Sequence, residues 1–128
     1  MKIEHIAIWT NNLENLREFY CKYFEAKSSE KYTNQKSGFE SYFLAFEEGC
    51  RLEIMRMPVT AERDIQAKSI VGLAHFAISV GSKEKVIKLT ERFREDGYKV
   101  LSEPRTTGDG YYEGVISDPD GNRVEITE

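Results

Sequence analysis

The sequence predicts an α+β fold made by duplication, with a strand, a helix and three more strands laid down twice in 128 residues. Three observations carry that prediction. The chain repeats itself where the strands begin: "IEHIAIW" (3–9) falls on "LAHFAIS" (73–79) at an offset of 70, which aligns His5 with His75, Ala7 with Ala77 and Ile8 with Ile78. It repeats again where they end: "RLEIM" (51–55) falls on "RVEIT" (123–127) at an offset of 72, which aligns Arg51, Glu53 and Ile54 with Arg123, Glu125 and Ile126. Between those markers, each half changes from strand-like alternation to helical spacing and back again.

The elements follow in order. "EHIAIW" (4–9) is a half-buried strand. "NNLENLREFYCKYF" (11–24) places Leu13, Leu16, Phe19, Tyr20, Tyr23 and Phe24 at helical spacing, and Asn11 with Glu14 resembles a capping box. "SEKYT" (29–33), "SYFLAFE" (41–47) and "RLEIMRM" (51–57) are strand-like, with a turn at Glu48-Gly49. "PVTAERDIQAKS" (58–69) reads as a linker, so the modules are 1–57 and 70–128. In the second half Ser82 caps "KEKVIKLTERFRED", which has Val86, Leu89 and Phe93 on one face and Gly97 at its stop. Strands "YKVL", "YYEGVIS" and "NRVEIT" complete the repeat, and "DPDGN" (118–122) reverses the chain between the last two. "RTTGDGYY" (105–112) reads as a Gly-rich rim loop that matches no P-loop spacing.

Composition narrows the function. With 40% hydrophobic and 31% charged residues the chain is of the soluble globular class, and it holds no apolar run of about 18 residues. A formal net charge of −4 without a basic cluster argues against nucleic acid as a partner. Cys21 and Cys50 are too few for a disulfide framework and lack metal-ligand spacing, which favours a reducing compartment. The chain enters its first strand without signal-peptide architecture, so the expected location is the cytoplasm.

Strand alternation places the candidate site. His5, Ala7 and Trp9 share one face while Ile6 and Ile8 take the other; His75, Ala77 and Ser79 oppose Phe76, Ile78 and Val80. Glu53 and Met55 oppose Leu52 and Ile54, and Glu125 and Thr127 oppose Val124 and Ile126. Each apolar face can pack on a helix, so each His or Glu points to whatever the sheet encloses. A lone strand histidine is more often a satisfied core or surface residue, and a strand glutamate is usually solvated. Here the repeat relates all four in pairs. Two imidazoles and two carboxylates suit a divalent ion such as Zn, Ni, Co, Mn or Fe(II), with two coordination positions left for water or substrate.

The motifs "EHIAIW", "RLEIM", "GLAHFAISV" and "DPDGNRVEI" resemble the vicinal-oxygen-chelate superfamily over the whole chain. That superfamily includes glyoxalase I, fosfomycin- and bleomycin-resistance proteins and extradiol dioxygenases. The resemblance implies two βαβββ modules pairing into a cupped mixed sheet around one divalent metal per site (Zn, Ni, Co or Mn, with Fe(II) less favoured). His5, Glu53, His75 and Glu125 fall on the metal positions of small bacterial glyoxalase I enzymes. It implies a lyase or isomerase of the lactoylglutathione lyase type, working through an enediolate on a small substrate with two adjacent oxygens. Glu125 is then the first choice of general base and Glu53 the second. It also implies a homodimer. Two positions depart from the pattern: Trp9 stands where those enzymes place an Arg, and Met57 where they place an Asn. Trp9, Met55 and Met57 make this wall apolar, which counts against glutathione, although Arg105 offers another anchor and Arg56 falls on the face opposite Glu53. The alternatives are an Fe(II) extradiol-type dioxygenase and a thiol-transferase or drug-sequestering resistance protein.

Overall fold

Leu13, Leu16, Phe19, Tyr20 and Tyr23 line one side of the first helix and are buried, as their spacing requires. The computed structural model describes residues 3–58, 73–108 and 110–128. Contacts divide the chain into two compact units, Met1–Arg63 and Asp64–Glu128. The expected linker 58–69 lies, apart from Pro58, outside the described residues.

In the first unit the order is β1 (His5–Trp9), α1 (Leu13–Phe24), β2 (Lys27–Ser28), β3 (Tyr32–Asn34), β4 (Phe39–Ala45) and β5 (Arg51–Arg56). The sheet runs β1-β5-β4-β2, and β3 also pairs with β4. β1 and β5 are parallel and the other pairs antiparallel. Ile8, Leu44, Leu52 and Ile54 are buried on the side that α1 covers, where the helix meets β4 and β5. The single strand expected at 29–33 is instead two short ones. The hydroxyl oxygen of Ser29 accepts the Phe43 N–H at 3.0 Å. That side chain takes a ladder position, and the register slips by one residue between Ser28↔Leu44 and Tyr32↔Ser41.

The helix cap also differs from expectation. Asn12, not Asn11, caps α1 by accepting the Asn15 N–H at 3.2 Å, while the Thr10 hydroxyl accepts the Asn12 N–H at 3.0 Å. Glu14 is therefore one residue too early to close a capping box, and its carboxylate goes to Lys31 and Tyr42.

In the second unit the order is β6 (Phe76–Ser79), α2 (Lys83–Glu95), β7 (Val100–Thr106), β8 (Tyr112–Ser117) and β9 (Arg123–Thr127), with sheet order β6-β9-β8-β7. Ser82 caps α2 by accepting the Lys85 N–H at 3.2 Å, and Gly97 ends it with φ +84°. Val86 and Phe93 are fully buried, but Leu89 is only half-buried. Thr90 takes the third inward position; its hydroxyl donates to the Val86 carbonyl at 2.8 Å, so burying it leaves no polar atom unmatched.

β7 runs four residues past Glu103's neighbour Ser102, through Pro104 to Thr106, so Arg105 and Thr106 are strand residues and not loop. Proline is tolerated because β7 is the sheet edge, and the register shifts along it. In the rest of the expected rim loop, the Thr107 N–H donates to the Tyr111 carbonyl at 2.8 Å. At the other end of β8, buried Asp118 accepts the N–H groups of Asp120 and Asn122 at 3.0 and 2.8 Å. This side chain makes "DPDGN" a rigid reversal and sets where β9 begins. The α+β class and the duplicated plan expected from the sequence are those of the structure.

Candidate metal centre

Register brings the first pair of ligand candidates together. Parallel pairing sets Ala7 beside Glu53 and His5 beside Arg51, so the carboxylate of Glu53 lies one step along the face from His5. His5 Nε2 is 3.8 Å from Glu53 Oε2. The Glu53 side chain is 15% exposed and that of His5 39%, so the imidazole stands at the open side of a sheltered carboxylate.

The second unit repeats the arrangement. Ala77 pairs with Glu125 in β6 and β9, as Ala7 pairs with Glu53. His75 Nε2 is 3.2 Å from Glu125 Oε2, with side-chain exposures of 43% and 19%. β6 begins at Phe76, so His75 sits just before its strand and not within it. In both units the buried strand residues, Leu52 and Ile54 or Val124 and Ile126, alternate with the carboxylate residue.

The donor chemistry fits a divalent cation. An ion with bonds of about 2.0–2.2 Å to imidazole nitrogen and carboxylate oxygen spans donors at either separation. Among the described residues no three His, Cys, Asp or Glu side chains gather, so each unit by itself offers one imidazole and one carboxylate.

The surroundings of His5 were only partly foreseen. Glu4 accepts a hydrogen bond from His5 Nδ1 at 2.5 Å and an ion pair from Arg51. These two partners, the imidazole first, hold the Glu4 carboxyl below its ordinary range. The Phe43 ring meets His5 edge-on at 5.4 Å, and the Arg51 guanidinium lies 4.2 Å from the same ring. Trp9 pairs with Met55, Met55 with Ser41, and Ser41 with Tyr32, so these share the ligand face in one row. Phe39 sits against Trp9 at 6.2 Å and Tyr32 at 6.1 Å, while Trp9 remains 49% exposed. Sequence reading found Trp9 and Met55 but missed Tyr32, Phe39 and Phe43. Alternation shows which residues of one strand share a face; which residues of another strand stand beside them depends on register.

The remaining candidates separate. Met57 lies just beyond β5 and is half-buried. Arg56 donates to Glu40 at 2.8 Å on the helix side of the sheet, as alternation requires. Arg105 is exposed on edge strand β7; pairing links it through Glu113 to Thr127, two residues from Glu125 on the same strand face.

This fold is that of a known class. The chain belongs to the Glyoxalase/Bleomycin resistance protein/Dioxygenase superfamily, whose family model matches residues 2–126. No curated protein matches it in sequence. Among solved structures it is similar to a glyoxalase family protein from Enterococcus faecalis, with TM-score 0.80 and 23% identity over 99% of this chain and 97% of that one. It is similar to glyoxalase I from Zea mays with TM-score 0.80 and 24% identity over 98% of this chain, but it spans only 44% of the maize chain. The trypanothione-dependent glyoxalase I of Leishmania major matches with TM-score 0.78 and 20% identity over 100% of this chain and 86% of that one. At these identities the likeness is one of fold.

Proposed function

We propose that this chain is a divalent-metal-dependent lyase or isomerase of the glyoxalase type, working as a cytoplasmic homodimer on a small substrate with two adjacent oxygens. The carrying observation is that Glu53 and Glu125 occupy equivalent register positions in the two units, each beside an alanine of the parallel strand that follows the histidine, and lie 3.8 and 3.2 Å from their respective histidines. His5, Glu53, His75 and Glu125 would hold Zn, Ni, Co or Mn. The ion supplies Lewis acidity toward the paired oxygens when bound.

The chain's own residues would do the rest. Glu125 takes the proton from the hydroxyl-bearing carbon next to the substrate carbonyl and returns it to the carbonyl carbon, while the hydroxyl proton passes to the former carbonyl oxygen, so the isomerisation balances with no electron acceptor or second reagent. Glu53 stays in place as the balancing carboxylate. Trp9, Tyr32, Phe39 and Met55 form an apolar wall. That wall favours a substrate carrying a flat or apolar group, with Arg105 as the one sequence-identified anchor for an anionic end.

The test is metal analysis of protein purified without added metal, followed by turnover of a panel of 2-oxoaldehyde–thiol adducts with aromatic and with glutathione thiols. Replacing Glu125 by Gln lowers kcat by about 10²–10⁴-fold while metal is retained; full activity in that variant overturns the assignment. A second reading, an Fe(II) extradiol-type dioxygenase, draws support from the aromatic wall, and the second carboxylate weighs against it because that chemistry uses two His and one carboxylate. Oxygen uptake with a catechol after anaerobic iron loading would select it.

A further inference from the structure

We propose that Glu4 and Arg51 are positioning residues that hold His5 in the one tautomer able to bind a metal through Nε2, and that the described residues of the second unit hold no such device. The inference rests on the reading of His5 as a metal ligand. Neutral imidazole has one N–H, and a carboxylate can only accept it. With Glu4 Oε2 at 2.5 Å from His5 Nδ1, the proton belongs on Nδ1, and the Nε2 lone pair is left on the side of Glu53.

Glu4 is itself held. Its other oxygen, Oε1, accepts from Arg51 Nε at 2.9 Å and also from Arg51 Nη2. The two oxygens thus have separate tasks, one for the guanidinium and one for the imidazole. The main chain ties the same level of the sheet, since the Arg51 N–H donates to the Glu4 carbonyl at 3.1 Å. Arg51 then covers the Phe43 ring at 4.2 Å, and Phe43 returns to His5 at 5.4 Å. Glu4, Arg51, Phe43 and the imidazole itself thus form a closed ring of four side chains.

The repeat makes the contrast plain. The residue before His75 is Ala74, which has no side-chain acceptor. The β8 residue paired with Glu125 is Val115, where the β4 residue paired with Glu53 is Phe43. Two of the ring's four members are therefore missing, and the halves present their imidazoles unequally: His5 preset, His75 left to adjust when a metal arrives.

The chain has only two histidines, so both rings can be followed in one long-range 1H–15N spectrum of the metal-free full chain. At about pH 8.5, where unperturbed imidazoles are neutral, wild-type His5 shows the Nδ1-protonated form. Glu4→Ala moves His5 to a tautomer mixture, and His75 signals stay where they were. Co(II) binding, read by absorption, weakens by about 10–100-fold in Glu4→Ala, the range for loss of a ligand's outer partner. Arg51→Ala shifts both readouts in the same direction. Unfolding curves accompany each variant; a variant that loses stability with no change of tautomer or affinity overturns the inference, as does an Nε2-protonated His5 in wild type. His5→Ala separates the two levels. If His5→Ala loses Co(II) while Glu4→Ala keeps it in full, only the positioning role falls. If His5→Ala binds Co(II) as wild type does, the metal reading falls and this inference with it.

Discussion

Glu14 opens helix α1, yet its main partners lie outside the helix: Lys31, the residue before β3, at 2.8 Å and the Tyr42 hydroxyl of β4, which donates at 3.0 Å. Lys31 continues to Glu40 at 3.3 Å, and Glu40 to Arg56 at 2.8 Å. Lys31 is the main cause that lowers the Glu14 carboxyl below its usual range; Arg56, followed by Lys31 after a burial cost, does the same for Glu40. Lys31 in turn is raised, chiefly by Glu14. A carboxyl that binds its proton less tightly when folded stabilises the fold above its ordinary titration range, and that contribution disappears as pH falls through the lowered folded value. Because these groups still reach solvent, Lys31→Ala costs only about 0.5–1 kcal/mol at neutral pH. Urea unfolding of the wild type and Lys31→Ala should show that difference at neutral pH and its disappearance in acid below the ordinary carboxylate range. A difference that persists in acid would assign the effect to packing of the lysine stem on Tyr42.

At the scale of elements, the second unit depends on a close approach between α2 and β8. A Cβ added at Gly114 would stand 3.1 Å from the Thr90 hydroxyl oxygen and 3.5 Å from Pro104 Cγ and the Ser102 carbonyl. Thr90 has little freedom to yield, since its hydroxyl is bonded to Val86 and the residue is fully buried. Gly114→Ala should therefore destabilise by about 1–3 kcal/mol, as overpacking does, and a lower midpoint in denaturant would show it. Thr90→Ala in the same background removes the oxygen that the new Cβ meets, and should recover part of the loss. The element boundaries that sequence reading missed have the same origin. Pro104 ends a strand in local rules, but at a sheet edge it costs no ladder bond, so β7 continues to Thr106. Ser29 splits a strand because its side chain competes with the backbone for Phe43.

At the scale of the molecule, the proposed function requires both units to serve one ion. His5→Ala and His75→Ala should then each remove nearly all bound metal per chain, measured by elemental analysis after gel filtration. Independent two-ligand sites would leave about half in each variant and would sink the shared-ion reading. Among the described residues no helix is long and apolar enough to cross a membrane.

The sequence by itself determined the duplication, the two helices with their apolar faces, and the side of each strand on which His5, Glu53 and Glu125 lie. Those follow from periodicity, which is local: alternation along a strand and spacing along a helix need no knowledge of neighbours. Only the tertiary structure decided which side chains of one strand meet those of the next. It set Phe43 against His5, joined Tyr32 and Phe39 to Trp9, and turned Glu4 onto the His5 ring. Glu4 precedes the first residue of β1, so strand alternation does not hold it to the opposite face. Register and strand ends come from pairing across the sheet, and pairing joins residues as far apart as Glu4 and Arg51, which no short window of sequence contains.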